Sequence, residues 1–354
     1  MKIVTVIGAR PQFIKAAALS KEIQKHPDVQ EVIIHTGQHF DPNMSKVFFD
    51  EMGIPKPDYY LDINSLSHGA MTGRMLEEIE KILLKEKPDF LLVYGDTNST
   101  IAGALAAKKL HIKVVHVEAG LRSFDMKMPE EVNRILTDQI SDFLFCPSTT
   151  AVINLKNEGF NDKKWAKIIN AGDIMYDSAL LFKQKMKKPT DLDLPERFIL
   201  ATVHRQENTD NITRLINIIS AFNQLVDEGH NIIIPLHPRT RKIIEKNNIP
   251  IKFQIINPVS YFEMLYLLEN TNLVITDSGG LQKEAYFFNN YCVTLRDSTE
   301  WIELVENEVN NLIDFNKDIY KQIKQVIDKK ISNEKFLYGK GNTAKIIVEE
   351  LKNH

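Results

Sequence analysis

The sequence predicts an α/β fold made of two doubly wound, Rossmann-like domains that face one another across a cleft. Short β-branched runs alternate with helical patterns along the whole chain, which is typical of parallel sheets with crossover helices. The series of candidate strands occurs twice, once in each half. In addition, 354 residues exceed the length that one hydrophobic core usually serves.

The first domain is expected over residues 1–172. Its candidate strands are Ile3–Ile7, Val32–Thr36, Tyr59–Ile63, Phe90–Tyr94, Val114–Val117 and Phe143–Cys146. Helical patterns lie between them, most clearly from Met71 to Glu86, where apolar residues recur at the spacing of one helix face. We expect the methionines of that face to pack in the core.

The second domain is expected over residues 173–341 and repeats this architecture. Its candidate strands are Phe198–Thr202, Ile232–Pro235, Phe253–Ile256, Leu273–Thr276, Cys292–Leu295 and Asn311–Ile313. The polar stretch from about Gly172 to Glu196 is interpreted as the connection between the domains. Residues 342–354 follow a glycine break and are amphipathic, so we expect a helix that packs back on the first domain.

Composition and charge exclude several classes of function. Hydrophobic residues make up 43% of the chain and charged residues 26%, as in ordinary globular proteins. A net charge of -3 with mixed signs provides no basic stripe for nucleic acid and no polybasic face for a membrane. Any phosphate group must therefore be bound by a local cluster of residues.

The cysteines and the N-terminal segment predict a cytoplasmic protein. Cys146 and Cys292 lie far apart, each within an apolar run, and are expected to be buried free thiols in a reducing compartment. The segment MKIVTVIG lacks the pattern of a signal peptide, and no apolar run approaches the roughly 18 residues of a membrane span.

Candidate functional residues lie in the loops that follow the strands, because ligands of open parallel sheets bind at the carboxyl ends of the strands. After the first strand, GARPQFIK provides a tight turn, the forked cation of Arg10 and the ammonium of Lys15. The helix that begins there adds backbone N–H groups, which attract anions. The loop suits a diphosphate; the alternative is that Arg10 is an ordinary surface cation.

Three carboxylates follow later strands of the first domain. Asp96, in VYGDTNST, suits an acid/base role and alternatively caps the next helix. Glu118, in VHVEAGLRS, directly follows an apolar strand, where a partly buried carboxyl can carry protons near neutral pH. In PEEVNR, Glu130, Asn133 and Arg134 share one helix face, either as part of the site or as an intrahelical ion pair.

The loops of the second domain carry a histidine and a glycine-rich turn. ATVHRQEN places His204 and Arg205 just after a strand, where His204 is either catalytic or a hydrogen-bonded loop histidine. TDSGG is interpreted as a phosphate cradle, and the Glu284 carboxylate one turn later suits ribose hydroxyls. The cradle residues are Ser278, Gly279 and Gly280. His237 and Arg296 follow other strands at the same edge.

Several chemistries have no support in the sequence. It contains no HExxH or CxxC metal spacing, no GxSxG nucleophile turn and no GxGxxG dinucleotide fingerprint. We therefore expect no metal and no cofactor. The residues alone indicate a phosphorylated, nucleotide-type ligand with acid/base groups beside it, and they leave the reaction open.

The chain carries, in order, the motifs GARPQFIK, GQHFD, VYGDTNST, HVEAGLRS, PEEVNR, VHRQEN, LHPRTR, TDSGGLQKEA and LRDSTEW. Together they span nearly the whole chain and resemble the non-hydrolysing UDP-N-acetylglucosamine 2-epimerase family. Within that family the chain is most similar to the branch that acts in surface-polysaccharide synthesis on UDP-2,3-diacetamido-2,3-dideoxy-glucuronic acid. The similarity to that branch lies in HTGQHFD, HGAMTGRML, GDTNST and STEW.

The resemblance implies a glycosyltransferase-B-like fold, with UDP bound mainly to the second domain and the sugar in the cleft. It implies reversible elimination, in which UDP leaves C1, the C2 proton is removed to give a 2-acetamidoglucal, and both return with C2 inverted. The family's catalytic residues match Asp96, Glu118, Glu130 and His204. Its UDP ligands match Arg10, Lys15, Ser278, Gly279, Gly280 and Glu284. We expect a homodimer that acts on a UDP-sugar, namely UDP-N-acetylglucosamine, with UDP-2,3-diacetamido-2,3-dideoxy-glucuronic acid as the alternative.

One loop departs from the family pattern and bears on the identity of the sugar. The main branch commonly reads TERPE where this chain has Thr299 to Glu303, so Trp301 replaces an arginine. An indole packs against an acetamido methyl but cannot neutralise a phosphate, which suits a diacetamido sugar. A carboxylate on that sugar would need a cation, and the candidates are Arg122, Arg205, Arg239 and Arg241. Sugar or diphosphate contacts are expected from Arg134, Arg205, His237, Arg296 and Trp301.

The family's activator site for a second UDP-N-acetylglucosamine is matched in part. The matching residues are Gln38, His39, Arg74, Arg205 and His237. Two alternatives from other classes stay open. A glycosyltransferase could share the fold and the cradle but would need an acceptor, and a nucleotide-sugar sensor would bind without turnover.

Overall fold

The computed structural model describes residues 1–38, 52–190, 192–331 and 335–354, and the chain forms two compact units. The first unit consists of Met1–Leu181 and Phe336–His354, and the second of Phe182–Lys335. The chain therefore leaves the first unit after Leu181 rather than after Gly172, and it returns at Phe336 rather than at Asn342. Each unit is built on its own parallel sheet, which confirms the predicted α/β class.

A seven-stranded sheet forms the first unit. Its strands are β1 (Lys2–Ile7), β2 (Gln30–His35), β3 (Tyr59–Tyr60), β4 (Phe90–Tyr94), β5 (Lys113–Val117), β6 (Phe143–Cys146) and β7 (Lys167–Asn170). They lie in the order β3-β2-β1-β4-β5-β6-β7, and all neighbouring pairs are parallel. The sequence did not predict β7, because its KIIN segment is short and only partly buried.

A six-stranded sheet forms the second unit. Its strands are β8 (Ile199–Thr202), β9 (Ile232–Pro235), β10 (Gln254–Ile256), β11 (Leu273–Thr276), β12 (Cys292–Thr294) and β13 (Asn310–Leu312). They lie in the order β10-β9-β8-β11-β12-β13 and are also parallel throughout. Each observed strand overlaps one that the sequence predicted.

Helices connect the strands of both sheets. In chain order they are α1 (Arg10–Ile23), α2 (His68–Glu86), α3 (Asn98–Lys109), α4 (Pro129–Ile140), α5 (Thr149–Asn157), α6 (Ile174–Phe182), α7 (Gln206–Thr209), α8 (Ile212–Asp227), α9 (Pro238–Lys246), α10 (Tyr261–Asn270), α11 (Gly279–Phe287), α12 (Ile302–Glu306), α13 (Ile319–Lys324) and α14 (Thr343–Lys352). Short 3-10 helices occur at Phe160–Asp162 and Lys183–Lys185. Within the described ranges, no helix is both long enough and apolar enough to cross a membrane.

Alternate strand residues supply the hydrophobic cores. In the first unit, Val4 and Val6 of β1 pack with α2 and α3, and Met75 of α2 is fully buried, as its spacing predicted. The C-terminal helix α14 packs on α1. It is held at its start by the Thr343 hydroxyl, which donates to the Ala171 carbonyl at 3.0 Å.

Both sheets reverse their strand order beside their first strand, between β1 and β4 in one unit and between β8 and β11 in the other. At such a switch point the neighbouring crossover helices lie on opposite faces of the sheet, which opens a crevice at the carboxyl ends of the strands. The loops at these positions are residues 8–10 and 95–98 in the first unit, and 203–205 and 277–280 in the second. They contain seven of the fifteen predicted site residues, which are Arg10, Asp96, His204, Arg205, Ser278, Gly279 and Gly280.

Candidate active site

A buried ion pair joins helix α1 to the loop after β5 in the first unit. The Lys15 ammonium, on α1, contacts the Glu118 carboxylate just after β5. Gly95, with a φ of 61°, lies against this pair, and a Cβ there would be 3.2 Å from Glu118 Oε2 and 3.4 Å from Lys15 Nζ. The loop after β4 therefore reaches the ion pair because it carries no side chain at that point.

Asp96 and Arg134 form a second ion pair, and the guanidinium of Arg134 also contacts Glu131. Glu131 is completely buried and accepts the backbone N–H groups of residues 123 and 124. The sequence grouped Arg134 with Glu130, but Glu130 is exposed and the inward-facing carboxylate is that of its neighbour. The intrahelical pair of α4 is therefore made by Glu131, which is not among the residues that the sequence predicts for the site.

Gln12 ties together the loops on the two sides of the first switch point. Its Oε1 accepts the N–H groups of Gly8 at 2.8 Å and Ala9 at 3.0 Å, and its Nε2 donates to the Tyr94 carbonyl at 2.9 Å. Gln12 lies within the GARPQFIK motif, so the motif could have suggested it. Its burial, however, depends on contact with β4, which is far away in sequence.

These loops surround a pocket of about 190 Å³. Its lining residues are Ala9, Pro11, Gln12, Lys15, Gln38, His68, Tyr94, Gly95, Asp96, Thr97, Asn98, Pro129, Glu130 and Asn133. Pockets for whole drug-sized ligands measure roughly 300–1,000 Å³, so this one matches only part of a nucleotide sugar. Arg10 is exposed next to the lining residue Ala9, at the first position of α1.

In the second unit, Asp277 organises the loop that carries His204. Asp277 Oδ1 lies 3.1 Å from His204 Nδ1, and Oδ2 accepts the backbone N–H groups of His204 and Arg205, each at 2.9 Å. Asn208 Nδ2 also donates to Oδ2, at 3.0 Å. Burial would raise the pKa of Asp277, but its hydrogen bonds and the nearby His204 more than offset this and lower it. The carboxylate thus holds the His204 ring by Nδ1.

Asp277 lies within the TDSGG motif but is not among the site residues that the sequence predicts. The available signal was its place immediately after β11, at the switch point. The side chain of His204 is 47% exposed, whereas Asp277 is completely buried. This arrangement leaves Nε2 of His204 as the ring nitrogen that Asp277 does not hold, as a proton carrier requires.

The glycine-rich turn begins α11. Ser278 is its N-cap, and the Ser278 hydroxyl accepts the backbone N–H of Leu281 in the first turn. At Gly280, a Cβ would have no described atom within 4 Å, so the backbone of Gly280 is open to a ligand. At Gly279, a Cβ would fall 2.5 Å from Glu300 Oε1. Glu284 is buried one turn further along α11.

Glu300 brings a negative charge to this turn. Its Oε2 forms an ion pair with Arg296 Nη1 at 2.7 Å, and Arg205 lies close by. Burial would raise the pKa of Glu300, but Arg296 and, to a smaller extent, Arg205 lower it. Two of the predicted phosphate or sugar contacts, Arg205 and Arg296, are therefore close to a common carboxylate.

Trp301 lies in the interior rather than on a ligand-facing surface. The residue is 4% exposed, and the Lys283 ammonium is 3.9 Å from the centroid of its ring. This placement gives the indole a packing role and leaves almost no surface for the expected contact with an acetamido methyl. Arg122 is likewise buried and binds Asp138 and Glu158, so it is not a free cation for a sugar carboxylate.

The remaining selected residues lie at helix ends and surfaces. His237 caps α9, and its Nδ1 accepts the N–H of Arg239 at 3.2 Å. The Arg239 side chain pairs with Asp210. In the first unit, Gln38 Oε1 accepts from the backbone and hydroxyl of residue 99, and Arg74 is exposed. His39 lies outside the described residues. Among the residues with described positions, no group of three His, Cys, Asp or Glu side chains is arranged to hold a metal.

Comparison with known proteins gives a consistent result. A family model described as UDP-N-acetylglucosamine 2-epimerase matches residues 21–352. A relative from Pseudomonas aeruginosa, UDP-2,3-diacetamido-2,3-dideoxy-D-glucuronate 2-epimerase, is 56% identical over 352 residues, which covers 99% of each chain.

Two solved structures cover 100% of this chain and are covered completely by it. One is the Methanocaldococcus jannaschii UDP-GlcNAc 2-epimerase in complex with UDP-GlcNAc and UDP, with 41% identity and a TM-score of 0.88. The other is the Neisseria meningitidis UDP-GlcNAc 2-epimerase bound to UDP-GlcNAc, with 32% identity and a TM-score of 0.88.

Proposed function

Since this chain belongs to the UDP-N-acetylglucosamine 2-epimerase family and is an isomerase, we propose that it inverts C2 of a UDP-2-acetamido sugar by reversible elimination of UDP. The observation that carries this proposal is the collection of Lys15, Asp96 and Glu118 at the switch point of the first sheet. Elimination and readdition at C1 and C2 require proton carriers beside the sugar, and positioned carboxylates serve that purpose.

We assign the proton transfers to the carboxylates of the first unit and to the histidine of the second. Glu118 is held by Lys15, and Asp96 by Arg134. His204, held through Nδ1, presents Nε2 as a further carrier. The proposed catalytic residues are Asp96, Glu118, Glu130 and His204.

We assign UDP binding to the start of α11 and to the cations of α1. The N-terminus of a helix attracts phosphate through its unpaired N–H groups, and the open backbone of Gly280 permits close approach. The proposed UDP ligands are Arg10, Lys15, Ser278, Gly279, Gly280 and Glu284. Arg205 and Arg296 lie close enough to that turn to offset the charge of a departing diphosphate.

For the sugar, we favour UDP-2,3-diacetamido-2,3-dideoxy-D-glucuronate, with UDP-N-acetylglucosamine as the alternative. Identity to the Pseudomonas aeruginosa enzyme named for that uronate is 56%, against 53% for a Methanococcus maripaludis UDP-N-acetylglucosamine 2-epimerase homolog and 46% for a UDP-N-acetylglucosamine 2-epimerase of the same organism. Of the cations considered for the sugar carboxylate, Arg205 and Arg241 are partly exposed, whereas Arg122 is buried and paired with Asp138 and Glu158. Side-by-side kcat/KM values for the two sugars test this choice. Equal or better turnover of UDP-N-acetylglucosamine would refute it.

The elimination route is tested by turnover in deuterated water. We expect the C2 epimers to equilibrate and deuterium to appear at C2, without any acceptor. Epimerisation with the C2 hydrogen retained would refute elimination. Turnover that requires an acceptor would indicate a glycosyltransferase, and tight UDP-sugar binding without turnover would indicate a sensor.

We also propose that the enzyme is a cytoplasmic homodimer that supplies surface-polysaccharide synthesis. Both cysteines are free and buried, which is compatible with a reducing compartment. Light scattering of the purified protein tests the dimer, and cell fractionation tests the compartment. A monomer in solution, or recovery outside the cytoplasm, would contradict the corresponding part.

A further inference from the structure

A buried polar network lies behind the carboxylate loops of the first unit, outside the pocket. At its centre is Asp138 of α4, which is completely buried. Its Oδ1 lies 2.7 Å from His116 Nδ1, and its Oδ2 accepts from Arg122 Nη1 at 2.7 Å and from the Gly120 N–H at 3.1 Å. These three donors replace the water that a carboxylate loses on burial.

Both ring nitrogens of His116 face hydrogen-bond acceptors. Its Nε2 lies 2.7 Å from the Gly95 carbonyl oxygen, which can only accept, so Nε2 carries a hydrogen. Burial would raise the pKa of Asp138, but His116 and Arg122 lower it, so the carboxylate is ionised and also accepts. The ring of His116 therefore bridges the Asp138 carboxylate and the Gly95 carbonyl.

Arg122 also pairs with a second carboxylate of the network. Arg122 binds Glu158 through Nε at 2.6 Å and through Nη2 at 2.7 Å. His116 and Arg122 thus face two carboxylates, those of Asp138 and Glu158. Buried charges persist where every charge has a partner, and the removal of one partner leaves the others uncompensated.

Asp138 reaches both loops that carry the proposed carboxylates. Gly95, held through His116, directly precedes Asp96. Gly120, held directly by Asp138, follows Glu118 by two positions. We propose that Asp138 is a positioning residue for the epimerase reaction, which fixes the two loops relative to each other through His116 and Gly120. This inference rests on the proposed roles of Asp96 and Glu118.

Replacement of Asp138 by alanine should separate positioning from binding. The loops lose their common anchor, and misplacement of reacting groups by about 1 Å can cost about a hundredfold in rate. We expect Asp138→Ala to lower kcat by about tenfold to a hundredfold. KM and UDP affinity should change by less than about threefold, because the cradle of the second unit is untouched.

The conservative variant should rescue activity. In Asp138→Asn, the amide oxygen can accept from Gly120 and Arg122 while the NH2 group donates to His116 Nδ1. The ring then accepts at Nδ1 and keeps its Nε2 hydrogen for the Gly95 carbonyl. We therefore expect Asp138→Asn to restore most of the lost kcat, which a role as a charge alone would not allow.

Asp142→Ala is the matched control. Asp142 also accepts a backbone N–H, that of Val114 at 2.8 Å, and pairs with Lys108 at 2.8 Å, but it lies at the amino end of β5. We expect this variant to lose stability yet keep its kcat per folded molecule. Equal loss of kcat in Asp142→Ala and Asp138→Ala, or wild-type kcat in folded Asp138→Ala, would overturn the inference.

If Asp138→Ala does not fold, His116→Gln replaces it in the experiment. A glutamine amide carries both polar atoms on one carbon and cannot span Asp138 and Gly95 as the ring does. The same fall in kcat at unchanged KM is expected, and wild-type kcat would overturn the inference. Failure of the proposed function would instead appear as absent turnover in the wild-type enzyme.

Discussion

Replacing Asp277 with asparagine is predicted to disable His204 while the surrounding loop keeps its hydrogen bonds. Oδ2 of Asp277 accepts from three donors: the N–H groups of His204 and Arg205 and the amide of Asn208. Oδ1 faces His204 Nδ1 at 3.1 Å. Because the three donors require an acceptor, the asparagine oxygen should take the Oδ2 position. Its NH2 group then faces the ring of His204.

This exchange reverses the hydrogen bond to the ring. An amide donates where the carboxylate accepted, so Nδ1 of a neutral His204 becomes the acceptor and the hydrogen moves to Nε2. Nε2, the nitrogen that should take up a proton, then already carries a hydrogen. Loss of a positioned acid or base costs about 10²- to 10⁴-fold in rate. Since the His204 side chain is 47% exposed, water weakens the preference for this tautomer. We therefore expect the lower end of that range for the loss of kcat, about a hundredfold or about 3 kcal/mol.

The assay follows interconversion of the C2 epimers by NMR and UDP binding by calorimetry. We expect Asp277→Asn to lower kcat and to leave UDP affinity within about threefold. The control is the same change in a His204→Asn background, where it should lower kcat by less than about threefold, because the two residues act as a unit. A kcat of Asp277→Asn within about threefold of wild type would refute the reasoning. So would a double variant whose loss of kcat equals the product of the losses in the two single variants.

Three further predictions concern the first unit. Glu118→Gln should lower kcat by about a hundredfold or more with UDP binding retained, and parallel loss of UDP affinity in calorimetry would instead assign Glu118 to binding. Gly95→Ala should cost about 1–3 kcal/mol in urea unfolding and also lower kcat, because the φ of 61° is strained for alanine and the new Cβ crowds the ion pair of Glu118 and Lys15; an unchanged unfolding midpoint would contradict this. Burial raises the pKa of Asp177 to about 6, although its Oδ1 accepts the Ala344 N–H at 2.8 Å. Ionisation of Asp177 therefore destabilises the folded protein. This penalty is fully present above about pH 6 and disappears well below the ordinary pKa of 3.8. Asp177→Asn should stabilise the protein by up to about 3 kcal/mol near pH 8 and by far less near pH 4 in urea unfolding, and an equal gain at both pH values would show the sign argument to be wrong.

The sequence by itself determined the α/β class, the two parallel sheets and the family. Strands and helices could be predicted because β-branched runs and helical spacing are local patterns, as in the Met71–Glu86 segment. The site loops could be predicted because they directly follow those strands, and the carboxyl ends of parallel strands meet at one edge. The weakest pattern, the short strand β7, was missed.

Only the tertiary structure decided which side chains pair and which are buried. It joined Lys15 to Glu118, gave the ion pair of α4 to Glu131, and placed Trp301 in the interior. It also revealed Asp277 as the partner of His204. Each of these outcomes depends on where other segments pack, since the burial and charge of a side chain are set by neighbours that can be distant in the chain. No local pattern of residues records those neighbours.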